Sequence, residues 1–81
     1  MSSDTLDATI DIDAKLVRMA NQIAGFFDTQ PHADKVAETA NHLREFWDPR
    51  MRAQLQEYIG KGGEGLSPLA LAAANRLAEM A

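Results

Sequence analysis

Chemistry in this 81-residue chain is concentrated in three places: two histidines, a glycine-dense run, and one aromatic and arginine cluster. His32 and His42 are the only histidines. A zinc or iron site needs three or four converging ligands, with paired histidines typically at i and i+4 on one helix. His32 and His42 do not have that spacing, so His32 reads as a solvated residue near a helix start and His42 as a flank residue of a helix. The chain has no cysteine, which removes disulfides, thiolate zinc sites, cysteine-ligated iron–sulfur clusters and cysteine nucleophiles. Gly60-Lys61-Gly62-Gly63-Glu64-Gly65 is rich in glycine, but a phosphate cradle requires G-x-x-x-x-G-K-[ST] between a strand and a helix. Here the lysine comes early and the preceding pattern is helical. The run reads as a C-cap glycine followed by a flexible connection, and the helix start at Ser67 is the one place in it where free backbone N–H groups could meet an anion.

The densest cluster is Phe46-Trp47-Asp48-Pro49-Arg50-Met51-Arg52. Trp and Arg are the residue types that most often anchor protein interfaces. Two adjacent helical residues point about 100° apart, so one of Phe46 and Trp47 can seal the core while the other faces outward. No serine, base and orienting acid form a triad, and the sequence contains no recognisable catalyst. Catalytic, cofactor-binding and metal-binding residues are therefore all expected to be absent from this chain.

The elements that position this cluster follow from hydrophobic spacing. Met1 to Ile10 reads as an acidic, flexible arm, and residues 11–81 as a single helical domain. Asp11 can cap a first helix running to about Phe27, with Ile12, Leu16, Met19, Ala20, Ile23 and Phe27 on one face. A second helix is expected from Pro31 to Trp47, striped by Ala33, Val36, Ala40, Leu43 and Trp47. Asp48-Pro49 ends it and starts a third, short helix that carries Met51, Leu55, Tyr58 and Ile59 inward and stops at Gly60. Ser67-Pro68 starts a fourth helix reaching about Met80, with Leu66 and Leu71 placed for a hydrophobic staple. No segment alternates with period two. The fold class is all-α, a small bundle of about four short helices.

The fourth helix is apolar nearly all round, with only Asn75, Arg76 and Glu79 polar among Leu69 to Met80. Such a helix is normally buried, and a chain this short has little material to surround it, so either its alanines face water, as good helix formers can, or a partner covers a second face. The candidate partner interface therefore comprises Phe46, Trp47, Arg50, Arg52, Leu69, Leu71, Ala74 and Ala78.

Charge limits the partners. The net charge of −4 comes from Asp4, Asp7, Asp11 and Asp13. The remaining acidic and basic residues cancel, so the helical part has no field to attract a phosphate backbone, and no nucleic acid is expected. No apolar run approaches the ~20 residues of a membrane span, and no secretory leader pattern opens the chain, so a cytoplasmic protein that binds no membrane is expected. Two other readings turn on particular residues. An acyl carrier protein needs Asp-Ser-Leu at the start of its second helix, whereas the helix-starting serine here lies in Gly65-Leu66-Ser67-Pro68, before the last one. A helix-turn-helix regulator would need Arg50, Arg52 and Gln54 to read bases from the third helix.

Three strings together carry a family resemblance: Lys15-Leu16-Val17-Arg18-Met19-Ala20-Asn21-Gln22-Ile23-Ala24, His42-Leu43-Arg44-Glu45-Phe46-Trp47-Asp48-Pro49-Arg50-Met51-Arg52, and Gly62-Gly63-Glu64-Gly65-Leu66-Ser67-Pro68-Leu69. On these the chain resembles the delta subunit of NAD-dependent, molybdenum-containing formate dehydrogenases, over about Ala14 to Leu77. The resemblance implies a non-catalytic accessory subunit of a soluble complex. In that family the alpha subunit holds the molybdenum cofactor and acts on formate, and beta and gamma subunits carry electrons through iron–sulfur clusters and flavin to NAD. The delta subunit holds no redox group and is associated with alpha, in assembly or stability. Self-association of the isolated chain is a further expectation, because the partner face would be exposed.

Overall fold

The computed structural model describes residues 4–31 and 34–80, with side chains from Ile12 onward. Four helices follow one another: α1 (Asp4–Asp28), α2 (Lys35–Phe46), α3 (Pro49–Gly60) and α4 (Pro68–Met80). The described residues contain no strand. Helix α1 begins seven residues ahead of the expected start at Asp11. Thr5 to Ile10 contains no glycine or proline to break a helix, and Asp4 and Asp7 stand at the positive N-terminal end. From Asp4 on, the backbone of the expected arm thus continues α1; Met1–Ser3 lie outside the described residues.

Helix α2 begins later than expected, at Lys35 rather than Pro31. The missed signal is Asp34, an N-cap whose carboxylate accepts from the Ala37 N–H at 3.1 Å. With Glu38 in the first turn, this cap outcompetes the start at Pro31. His32 and Ala33 lie outside the described residues. Helix α3 starts as expected: Asp48 accepts from the Met51 N–H at 2.8 Å and Pro49 sits at the first helical position. Helix α4 is capped by Ser67, whose Oγ accepts from the Ala70 N–H at 3.1 Å.

The core contains Leu16, Ala20 and Ala24 of α1, Leu43 of α2, Leu55 of α3, Ala70, Ala74 and Leu77 of α4, and Trp47 at the α2–α3 corner. Ala40 faces inward from α2 as well. Helices α2 and α4 form the most extensive contact. Small buried residues stand on both helices, Ala40 on α2 and Ala70, Ala73 and Ala74 on α4. Thr39 is the one buried polar residue among those described, and its hydroxyl is satisfied by donating to the Lys35 carbonyl at 2.7 Å.

The connection between α3 and α4, expected to be flexible, is instead tied down by side-chain hydrogen bonds. Asn21 on α1 donates to the Gly65 carbonyl at 2.9 Å and accepts from the Ser67 N–H at 2.8 Å. The Tyr58 hydroxyl donates to the Glu64 carbonyl. Gly63 is buried with φ +63°, and a Cβ there would stand 3.3 Å from Leu71 Cδ1 and 3.6 Å from Leu66 Cδ1. Leu66 and Leu71 therefore close over Gly63 as the expected staple. At the other end, Lys35 and Asp28 join the end of α1 to the start of α2 across 3.4 Å, an exposed pair that contributes little to stability.

Candidate functional site

The α2–α3 corner turns within Trp47 and Asp48, because proline at 49 forbids helical geometry at the residue before it. This short break decides which aromatic goes where. Trp47 is 5% exposed and seals the core, while Phe46 is 70% exposed. Phe46 belongs to a row of rings that spans α1 and α2. Phe26 stands edge-on to Phe27 at 5.1 Å, Phe27 to His42 at 5.9 Å, and His42 lies tilted against Phe46 at 4.6 Å. Phe26, at the α1 end of the row, is 61% exposed. A cleft of about 230 Å³ opens beside it, lined by Gln22, Ile23, Phe26, Phe27 and His42. Within the row, His42 Nδ1 is buried and has no hydrogen-bond partner among the described residues.

The ends of the row, Phe26 and Phe46, are exposed, while Phe27 and His42 between them are half-buried. Exposed apolar rings make a candidate interaction surface, and aromatics are the side chains that interfaces favour. Glu38 and Glu45 lie on the flank of α2 just beyond His42, by the 100° step of the helix, and both are exposed. The surface is thus an aromatic strip with an acidic margin.

The other expected interface residues divide. Arg50 and Ala78 are exposed, and Arg52, Leu69 and Leu71 are half-buried. Trp47, and Ala74 at 0% exposure, are withdrawn into the chain's own core and offer no surface to a partner. The apolar circumference of α4 is largely used internally, by Ala70, Ala73, Ala74 and Leu77, which is why so alanine-rich a helix fits a small bundle. Phe26, Phe27 and His42 were missed in the sequence. The available signal was the Phe26-Phe27 dipeptide, since two adjacent helical rings cannot both point inward.

Residues for other chemistries do not converge. Among the described residues, no group of three or more His, Cys, Asp or Glu side chains could hold a metal, and no helix is long and apolar enough to cross a membrane. Without cysteine, the chain offers no thiolate to ligate an iron–sulfur cluster. The DNA-reading face is not assembled either. Arg52 lines a groove toward α4, whereas Gln54 lines a separate trough with Ile12 and Asp13 of α1.

The segment that builds this framework, from the first buried turn of α1 to the middle of α4, is also the segment that compares with known proteins. The model of the family described as NADH-dependent formate dehydrogenase delta subunit FdsD matches residues 15–74. The chain belongs to this formate dehydrogenase delta subunit family. No match was found among curated proteins or among solved structures. The delta-family match takes in the whole aromatic row, the corner at Trp47-Asp48-Pro49, and the Asn21 clamp on Gly65 and Ser67. It ends before Leu77 and Ala78 on α4.

Proposed function

We propose that this chain is a non-catalytic accessory subunit of a NAD-dependent formate dehydrogenase, docking on the molybdenum-bearing alpha subunit in the cytoplasm and supporting its assembly or stability. Membership of the delta family is the observation that carries the reading. The Phe26–Phe27–His42–Phe46 row supports it, because its exposed ends, Phe26 and Phe46, supply a surface that association would cover. In this reading the molybdenum cofactor, iron–sulfur clusters, flavin and NAD all belong to partner subunits, and the delta chain contributes only contacts.

The test is expression of the alpha, beta and gamma subunits with and without this chain, the alpha subunit carrying an affinity tag. Expected are stoichiometric retention of the delta chain and a lower yield of molybdenum-loaded alpha subunit when it is omitted. Retention of nothing, with an unchanged yield of loaded alpha subunit, would overturn the reading.

A further inference from the structure

On the flank of α2 opposite the aromatic row, a groove of about 280 Å³ runs between α3 and α4. Ala53, Leu77, Ala78 and Met80 give it an apolar lining, and Arg44 and Arg52 are its only charged residues. The Gln56 amide, also in the lining, is committed to the Ala74 carbonyl at 2.9 Å. Arg52 Nε is buried and has no hydrogen-bond partner, and neither arginine pairs with a carboxylate among the described residues. A guanidinium donor shielded from water beside an apolar lining is complementary to a carboxylate, presented by something that also covers the lining.

We propose that this groove receives a segment of a partner subunit in which an aspartate or glutamate stands beside an apolar side chain. The carboxylate pairs with Arg52 and Arg44, and the apolar side chain covers Ala53, Leu77 and Ala78. This rests on reading the chain as a formate dehydrogenase subunit, and it adds a second contact on the far side of α2 from the aromatic row. A small free anion satisfies the arginines but leaves the apolar lining bare, so a peptide segment fits better.

The experiment uses the assembled complex with Ala53, an exposed residue, replaced by the photo-crosslinker p-benzoylphenylalanine. Mass spectrometry should find the cross-link on a partner-subunit peptide with an acidic residue within two positions of an apolar one. The double variant Arg44→Glu, Arg52→Glu should lose at least tenfold in retention on the complex with its helix content intact, and Arg44→Lys, Arg52→Lys should lose less. A cross-link to a second copy of this chain, a cross-linked peptide without an acid, or unchanged retention of the charge-reversed variant overturns the proposal. If the unaltered chain is retained but its groove does not cross-link, the groove alone fails. If the unaltered chain is not retained by any subunit, the subunit reading fails with it.

Discussion

Asn21 holds Ser67 across the bundle: the Ser67 N–H donates to Asn21 Oδ1 at 2.8 Å, and the same carboxamide donates from Nδ2 to the Gly65 carbonyl at 2.9 Å. One side chain on α1 therefore satisfies two backbone groups at the start of α4. Asn21→Ala leaves both without that partner; water can replace the bond at the exposed Gly65 carbonyl, while the lost partner of the part-buried Ser67 N–H costs about 1–3 kcal/mol. Asn21→Asp keeps the acceptor and loses the donor, and should fall between. Urea denaturation followed by circular dichroism checks this, and equal midpoints for all three proteins would contradict it.

Gly63 and Gly60 should respond to alanine with opposite signs. Gly63 has φ +63° and Leu71 Cδ1 within 3.3 Å of an added Cβ, so Gly63→Ala should destabilise by about 1–2 kcal/mol from backbone strain alone. Gly60 ends α3 without a positive φ, and an added Cβ meets nothing within 4 Å. Gly60→Ala should stabilise by roughly 0.4–1 kcal/mol. Thermal melts of the two variants, run side by side, distinguish these outcomes.

Capping should be additive between helices. Asp34 and Asp48 each accept one N–H from the first turn of a separate helix. Each Asp→Ala change should cost about 1 kcal/mol, and the double variant should cost the sum within about 0.5 kcal/mol, as for distant sites. Denaturant titration of the two singles and the double would reveal any larger coupling.

The two neighbouring aromatics at the corner should separate folding from association. Phe46→Ala removes an exposed ring and should leave the melting midpoint nearly unchanged. As an interface anchor it should weaken binding to the alpha subunit by about 2 kcal/mol, or roughly thirtyfold. Trp47→Ala removes a core ring and should cost about 3–5 kcal/mol of folding. Calorimetric melts with binding titrations would sink the assignment if Phe46→Ala bound normally and Phe26→Ala did too.

Helix starts with a polar cap followed by proline were legible from sequence, since Asp48-Pro49 and Ser67-Pro68 act through local geometry alone. Asp34 was not, because Pro31 offered a rival start and only the Ala37 N–H contact separates the two. The corner was legible as a cluster, but not which ring it exposes; that depends on Trp47 leaving the helix with φ −90° and ψ 136°. Ala74 looked like spare surface because its helix is apolar on every side, and its burial depends on how closely α2 and α4 pack. The aromatic row joins α1 to α2 through Phe27 and His42, fifteen positions apart, and no local spacing encodes that meeting.

Helix α2 is twelve residues long, about 18 Å at 1.5 Å per residue. It carries His42 on one flank and Arg44 about 200° around from it. For a partner whose surface reaches both flanks, the rod is a bivalent ligand with a rigid spacer. Once one flank is seated, the other is presented at an effective concentration of about millimolar, as for short linkers. Release then requires both contacts to open together, so residence time rather than capture rate would record the loss of either flank.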